Sequence, residues 1–274
     1  MNEKHKVIKE TCVAGRTIEC VIKLPNGKHT GKRSKTRIPS TEQQVKYNDI
    51  IAERNARRMI NHNFGYGDGH YTLTYAETVT PEEADVKLAG FIRRLRYRMQ
   101  KQGKQLKYFA VTEYEHTRIH HHIILNTDDV ALVSGLWKTG HVRATMLDRS
   151  GDYKKLANYL LKETQKSFRK PGCHRRRRYS ASRNLIRPEV RRETVSADFL
   201  YDDPKPIRGY YIDKDSIHRY QHPVTECEHM EYTMIAIDLP RYQKWRRGKV
   251  VHPEQPIAIR QGDTAEEQLS FYDE

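Results

Sequence analysis

The sequence predicts an α+β protein built around an antiparallel β-sheet. Between residues 70 and 147, alternating segments and segments with helical spacing follow in the order strand, helix, strand, strand, helix, strand. The two middle strands are joined by a short turn, so they form a hairpin and run antiparallel. Further β-type segments lie on both sides, within 6–24 and 199–240. This order favours a sheet with helices packed on one face.

The N-terminal segment, residues 1–66, is predicted to hold a hairpin, a basic loop and a helix. Residues 6–24 alternate weakly around Ala14-Gly15, which is typical of a hairpin. A loop rich in Gly, Lys and Arg follows, and residues 41–60 then predict a helix. The glycine-rich stretch after residue 62 ends that helix.

The core, residues 67–170, is predicted to begin with a strand at 70–76. Thr80-Pro81-Glu82-Glu83 then provides an N-cap, a proline at the first helical position and a glutamate at the third. Apolar residues continue at helical spacing until Gly103 ends the helix. The later elements are strands at 107–114 and 118–125, a short helix from Asp128 to Trp137, a strand at 141–147 and a helix at 153–166. The sequence therefore predicts the ferredoxin-like βαββαβ order.

Beyond a soft boundary near residue 170, the chain becomes basic and is interrupted by Pro and Gly. Residues 171–274 are interpreted as a basic linker followed by an extension that contains strands. The run Arg175 to Arg178 has two equally supported interpretations: a contact with a DNA backbone, or a solvated segment.

The charge balance predicts an anionic partner. Fifty Lys and Arg face 35 Asp and Glu, which gives a net charge of +15. Nucleic acid is the first candidate and an acidic membrane surface the second. No apolar stretch is long enough to span a bilayer and the N-terminus lacks the pattern of a secretory signal, so we expect a cytoplasmic protein. The four cysteines have no CxxC spacing, which favours reduced packing residues over a disulfide or a zinc site.

The run His120-His121-His122 predicts a metal site. In a strand, His120 and His122 share one face, while His121 points to the other. Imidazole is the commonest protein metal ligand, and a buried strand is a poor place for two uncompensated polar rings. The alternative is a pair of hydrogen-bonded structural histidines. The position inside an apolar strand favours metal binding.

The hairpin partner of that strand offers two candidates for a third ligand, Glu113 and Glu115. Both lie on the same face, so alternation does not choose between them. We favour Glu113 because it lies inside the strand rather than in the turn. The alternative is an ordinary exposed carboxylate.

The last helix of the core carries a candidate nucleophile, Tyr159. It lies opposite the apolar face, with Lys155, Lys162 and Lys166 at neighbouring helical positions. Lysines favour the phenolate form and stabilise a developing negative charge, so such a tyrosine is suited to attack a phosphate. Alone, the pattern equally describes an exposed tyrosine on a lysine-rich helix. The HxH strand nearby favours the nucleophile.

Together these motifs resemble the HUH endonucleases, which include rolling-circle replication initiators, relaxases and single-tyrosine transposases. The resemblance covers roughly residues 70–190 and is closest to the plasmid and filamentous-phage replication proteins. Its segments are YTLTYA, TEYEHTRIHHHIIL and NYLLK, in the family's order, with RRYSASRNLIRPEV downstream.

The resemblance implies a role for each of these residues. His120 and His122, with Glu113, would bind a divalent metal, Mg²⁺ or Mn²⁺. Tyr159 would be the nucleophile, forming a 5′-phosphotyrosyl link and leaving a free 3′-hydroxyl, and Lys162 would assist at the scissile phosphate. The expected partners are single-stranded DNA at a replication origin and a host helicase, without a membrane.

The sequence departs from the family pattern at two positions. The middle residue of the histidine motif is usually a bulky hydrophobe, and here it is His121. Many phage-type initiators have a second catalytic tyrosine, whereas Lys155 stands at that place here. The competing hypotheses are a relaxase or transposase, a DNA-binding regulator without cleavage, and a metal hydrolase that activates water. The presence of Tyr159 and Lys162 disfavours the regulator.

Overall fold

The computed structural model describes residues 6–25, 41–114, 118–167, 177–222 and 226–237. It confirms the α+β class, with two antiparallel five-stranded sheets and four α-helices in these ranges. The chain divides into two compact units. One is Asp49–Arg187, and the other combines Met1–Asn48 with Pro188–Glu274. The three-part division expected from the sequence differs, since the two flanking segments share one unit.

The elements match the predicted order closely. In chain order they are β1 (Lys6–Ala14), β2 (Thr17–Lys23), α1 (Glu42–Asn63), β3 (Gly69–Thr74), α2 (Pro81–Lys101), β4 (Tyr108–Glu113), β5 (His120–Leu125), α3 (Val130–Leu136), β6 (Val142–Met146), α4 (Lys154–Ser167), β7 (Ser180–Ala181), β8 (Val190–Ser196), β9 (Tyr210–Gln221) and β10 (Glu228–Ala236). A 3-10 turn, Ala197–Leu200, follows β8. Among the described residues, no helix has the length and apolar character needed to cross a membrane.

The first sheet joins both ends of the chain in the strand order β8-β1-β2-β10-β9. The predicted hairpin is present, and Gly15 has a φ of 59° at its turn, a value that glycine adopts readily. Strand β1 pairs on its other side with β8, where Val7 faces Val195. Long-range pairing therefore explains why the two flanking segments form one unit.

The second sheet has the order β6-β3-β5-β4-β7, which puts the histidine strand β5 at its centre, as predicted. Helices α2 and α3 cover one face, where Leu73 and Ile123 are fully buried. Helices α1 and α4 contribute to a separate core on the other face, around Phe109 and Ile124. The sheet is therefore covered by helices on both faces, whereas the sequence led us to expect one.

The start of α2 forms as the sequence predicts. The Thr80 hydroxyl accepts a hydrogen bond from the Glu83 amide at 3.2 Å, and the Glu83 carboxylate accepts one from the Thr80 amide at 2.9 Å. This capping box satisfies two backbone donors at the helix end. Asp129 caps α3 in a similar way, accepting from the Leu132 amide at 2.8 Å.

Alternation along β5 divides the three histidines between the two faces. His121 belongs to the face covered by α2 and α3, and His122 shares the other face with Ile124. Helix α4 packs over Ile124 through Ala157, Leu160 and Leu161. A polar site therefore begins on this face where the apolar contacts of α4 end.

Candidate active site

Three potential metal ligands meet where β4 ends and β5 begins. Glu113 and His120 are direct cross-strand partners, and His122 lies two residues further along β5. The His120 Nε2 atom lies 3.0 Å from one Glu113 carboxylate oxygen, and the His122 Nε2 atom lies 3.8 Å from the other. The His120 side chain is 23% exposed and that of His122 only 3%. The group is therefore open to solvent on the His120 side and closed at His122.

The donor atoms of this group suit one divalent cation. One ligand atom from each residue lies within 4.8 Å of the other two, and no other such group occurs among the described residues. Ligands about 2.0–2.2 Å from one ion lie about 3–4 Å apart, so only a small closure is required. The set of two imidazoles and a carboxylate fits a metal of intermediate softness. Glu115, the alternative third ligand, lies outside the described residues.

The two ligand histidines have opposite electrostatic environments. The hydrogen bond to Glu113 raises the pKa of His120. Burial, followed by the nearby His120 and His70, lowers the pKa of His122 to about 4. His122 is therefore neutral at physiological pH, with a nitrogen lone pair available to a metal.

Two residues of β3 hold the far side of the His122 ring. The His70 Nε2 atom lies 3.2 Å and the Thr72 Oγ1 atom 3.3 Å from His122 Nδ1. The His70 ring stacks on that of His122 at 5.3 Å between centroids. With Nδ1 occupied in this way, Nε2 is the atom presented to Glu113. Orientation of a ligand histidine through its second nitrogen is common in metal sites.

The sequence analysis did not assign a role to His70 or Thr72. Both lie on the site face of β3, where Thr72 is the cross-strand partner of His122. The available signal was their period-two spacing in a polar strand, but the pairing of β3 with β5 is a long-range contact that the sequence does not reveal.

Tyr159 reaches the same group from α4. Its hydroxyl oxygen lies 3.4 Å from His122 Nε2, and the two rings meet edge to face at 5.2 Å between centroids. The residue is 51% exposed. The helical pattern placed Tyr159 opposite the apolar face. It is exposed as predicted, but its hydroxyl turns back towards the histidine strand.

The lysines of α4 are only partly described. Lys155 and Lys162 are exposed, as predicted, and the side chain of Lys166 lies outside the described set. The assisting role of Lys162 therefore stays a prediction.

His121 performs a separate, structural task on the opposite face. It is fully buried, with Nε2 2.7 Å from the Tyr75 hydroxyl and Nδ1 2.8 Å from the Thr112 hydroxyl. The Tyr75 hydroxyl also donates to the Ala84 carbonyl at 3.2 Å. Both ring nitrogens are thus satisfied, which explains how a histidine occupies a position where a bulky hydrophobe is expected.

Replacing His121 with leucine is expected to lower the free energy of unfolding by about 1–3 kcal/mol, because the Thr112 hydroxyl would lose its partner in the core. Denaturant melts measure the loss. The double variant His121→Leu, Thr112→Val should recover part of it, since both polar groups are then removed. A single variant as stable as the wild type would contradict this assignment.

Metal-free protein is expected to lose stability as the pH falls from about 6.5 to about 4. Burial lowers the pKa of both His70 and His122 to about 4, from an ordinary value of 6.5. Between these values the unfolded chain binds protons that the folded chain does not, so acid favours unfolding. His120 acts oppositely: its contribution is present below 6.5 and is lost as the pH rises through its raised pKa.

Urea melts at several pH values, in the presence of a chelator, measure this dependence. His70→Asn should reduce the loss by on the order of 1–3 kcal/mol, because one of the two titrating groups is absent. An unchanged pH dependence in that variant would show that His70 is not a buried neutral histidine.

The remaining sequence features do not join this site. Arg178, the last residue of the arginine run, forms an ion pair with Asp49, while Arg175 lies outside the described residues. His222 and His229 lie 4.9 Å apart between ring centroids, in the unit formed by the chain ends. The described cysteines are thiols rather than disulfides, namely Cys12, Cys20 and Cys227.

Comparison with known proteins gives one family match. Residues 69–168 match the family described as replication-associated proteins of the ORF2 type. This range begins with β3 and ends just after α4, so it contains Glu113, His120, His122 and Tyr159. No curated protein and no solved structure gives a significant match. The family match confirms the resemblance to rolling-circle replication initiators over this range.

Proposed function

We propose that this chain, which matches the rolling-circle replication-associated proteins over residues 69–168, is a metal-dependent endonuclease that nicks single-stranded DNA with Tyr159. One observation carries the proposal: the Tyr159 hydroxyl lies 3.4 Å from His122 Nε2, beside the only group of potential metal ligands in the described residues. The family match favours replication over the relaxase and transposase alternatives.

In the proposed reaction, the Tyr159 oxygen attacks the scissile phosphorus and loses its phenolic proton. A tyrosine–phosphate bond forms and the bond from phosphorus to the 3′ oxygen breaks. The products are a 5′-phosphotyrosyl DNA and a strand with a free 3′-hydroxyl, which takes up a proton. One ester replaces another, so the 3′-hydroxyl of a strand can reverse the step and rejoin the DNA.

The chain would hold a divalent metal through Glu113, His120 and His122. The metal would supply Lewis-acid polarisation of the scissile phosphate. His70 and Thr72 keep His122 Nε2 pointed towards that position. Two imidazole ligands favour Mn²⁺ over the harder Mg²⁺.

Lys162, one turn beyond Tyr159 and exposed, is proposed to contact the same phosphate. The net charge of +15 supports a nucleic-acid substrate. The partner is proposed to be single-stranded DNA at a replication origin. A host helicase stays a prediction.

A covalent-capture experiment tests the proposal without knowledge of the origin. The protein is incubated with a randomised single-stranded DNA library and Mn²⁺, and complexes that survive denaturation are sequenced. We expect an enriched sequence, and a tryptic peptide carrying a nucleotide on Tyr159. Addition of a chelator before the DNA should prevent adduct formation.

The other outcomes separate the competing functions. Cleavage without any adduct would favour a hydrolase that activates water. Sequence-specific binding with neither cleavage nor adduct would favour a DNA-binding regulator. Either result would overturn the tyrosine mechanism.

A further inference from the structure

A polar cavity of about 820 Å³ lies at the other end of β4 from the ligand group. The end of α2, the turn after it, the start of β4 and the residues around β7 form its walls. Tyr108, the first residue of β4, lines the cavity, and Glu113 is the last residue of the same strand. At about 3.3 Å per residue, these two positions are about 16 Å apart.

The charge of the cavity walls is positive. Arg96, Lys104 and Arg183 line it and are exposed, and no Asp or Glu is among its described lining residues. The surrounding stretch, residues 86–112, contains eight Lys and Arg and no acidic residue. An uncompensated basic concavity of this kind attracts phosphate groups.

The cavity also offers the groups that contact nucleosides. The side chains of Gln100 and Asn184 carry amide donors and acceptors, and Tyr108 presents a half-buried aromatic ring. Single-stranded nucleic acid is bound by a combination of this kind, in which cations contact the backbone and aromatic rings stack on bases.

Backbone hydrogen bonds hold the walls of the cavity together. The Tyr108 amide donates to the Ser182 hydroxyl at 3.0 Å, and the Ser182 amide donates to the Tyr108 carbonyl at 2.9 Å. The Asn184 side chain donates to the Leu106 carbonyl at 3.2 Å. A site that is already formed loses less entropy when it binds a flexible strand.

The shape of the cavity selects among nucleic acids. Its volume falls within the range of about 300–1,000 Å³ that is typical of small-ligand sites. Unstacked nucleotides of a single strand can enter such a space, whereas the bases of a duplex remain paired and only its backbone can reach the rim.

We propose that this cavity is a second binding site for single-stranded DNA, which holds a nucleotide or two at a distance from the ligand group. The identity of the bound strand as the one that is cut rests on the proposed function. Binding to the cavity does not, and it can be measured without cleavage.

The test compares two triple variants in a Tyr159→Phe background with a chelator present, so that no strand is cut. The first variant, Arg96→Gln, Lys104→Gln, Arg183→Gln, removes the cations of the cavity. The control, Arg98→Gln, Lys101→Gln, Arg187→Gln, removes the same charge from exposed positions of the same unit that do not line the cavity. Thermal melts verify that both variants fold.

Fluorescence anisotropy with oligothymidylates of about 6 and about 20 nucleotides, a range that includes the site sizes of single-strand binding domains, measures binding. For the longer strand, we expect the cavity variant to bind about 10- to 100-fold more weakly and its salt slope to fall by about 2, as three lost phosphate contacts would give. The control should lose less than about 3-fold, since surface charges outside a binding site contribute little. Photo-crosslinking of iodouracil-substituted DNA should label the peptide that contains Tyr108.

Three results would overturn the inference. An equal loss in the control would show a general charge effect. A cavity variant whose defect appears only with duplex DNA would assign the surface to a duplex. A label absent from the walls of the cavity would place the strand elsewhere. A failed covalent-capture experiment with a positive binding result would remove the cleavage proposal and leave the cavity site intact.

Discussion

Replacing Tyr159 with phenylalanine is expected to abolish DNA cleavage and the covalent adduct while the metal affinity stays within a few-fold of the wild type. The variant lacks only the hydroxyl oxygen, which lies 3.4 Å from His122 Nε2. Removal of a nucleophile that forms a covalent intermediate costs on the order of 10⁴-fold or more in rate. Initial cleavage rates on the captured DNA sequence, with Mn²⁺, measure the loss.

Tyr153→Phe is a matched control for this substitution. Tyr153 lies just before α4 and its hydroxyl donates to the Asp148 carbonyl at 2.9 Å, away from the ligand group. This variant should cleave at near wild-type rate, even if its stability falls slightly. Substantial cleavage by Tyr159→Phe would show that another group, such as activated water, attacks the phosphate.

Replacing His122 with alanine is expected to weaken metal binding more than 100-fold. Loss of a residue that only orients a ligand typically costs about 10- to 100-fold, and His122 would supply a ligand atom itself. Calorimetric titration with Mn²⁺ measures the affinity independently of any DNA reaction. Wild-type protein should bind Mn²⁺ more tightly than Mg²⁺ because two of the three donors are nitrogens.

A graded series tests whether this arrangement is understood. His70→Ala should lose about 10- to 100-fold in metal affinity, as an orienting residue does, and should remain tighter than His122→Ala. His121→Leu should keep its metal affinity because its contacts, to Tyr75 and Thr112, are on the opposite face. Unchanged Mn²⁺ affinity in His122→Ala would refute the ligand assignment.

The local elements of the fold were predictable because each has a local cause. Thr80 and Glu83 form their capping box within one turn of helix, and Gly15 turns its hairpin with a positive φ. The pairing of β1 with β8 depends on residues far apart in sequence, such as Val7 and Val195. Strands in such pairs carry no mark of their partner, so the shared sheet of the two chain ends was not predicted.

The candidate site divides in the same way. His120 and His122 share a face because side chains alternate along a strand, and Glu113 faces them because a tight hairpin fixes its register. The helical pattern gave the side of α4 on which Tyr159 lies, but not the angle at which that helix crosses the sheet. His70 was missed for the same reason as the shared sheet: its strand is joined to β5 by a long-range contact.

The histidine run makes metal affinity a sensitive measure of strand register. If β5 slipped by one residue against its neighbours, Ile119, His121 and Ile123 would face α4, and that face would present one imidazole instead of two. His120 and His122 would then enter the apolar core beside Trp137, where His121 now lies. A misregistered sheet would thus lose both its core packing and its metal site, so Mn²⁺ binding can report on correct folding.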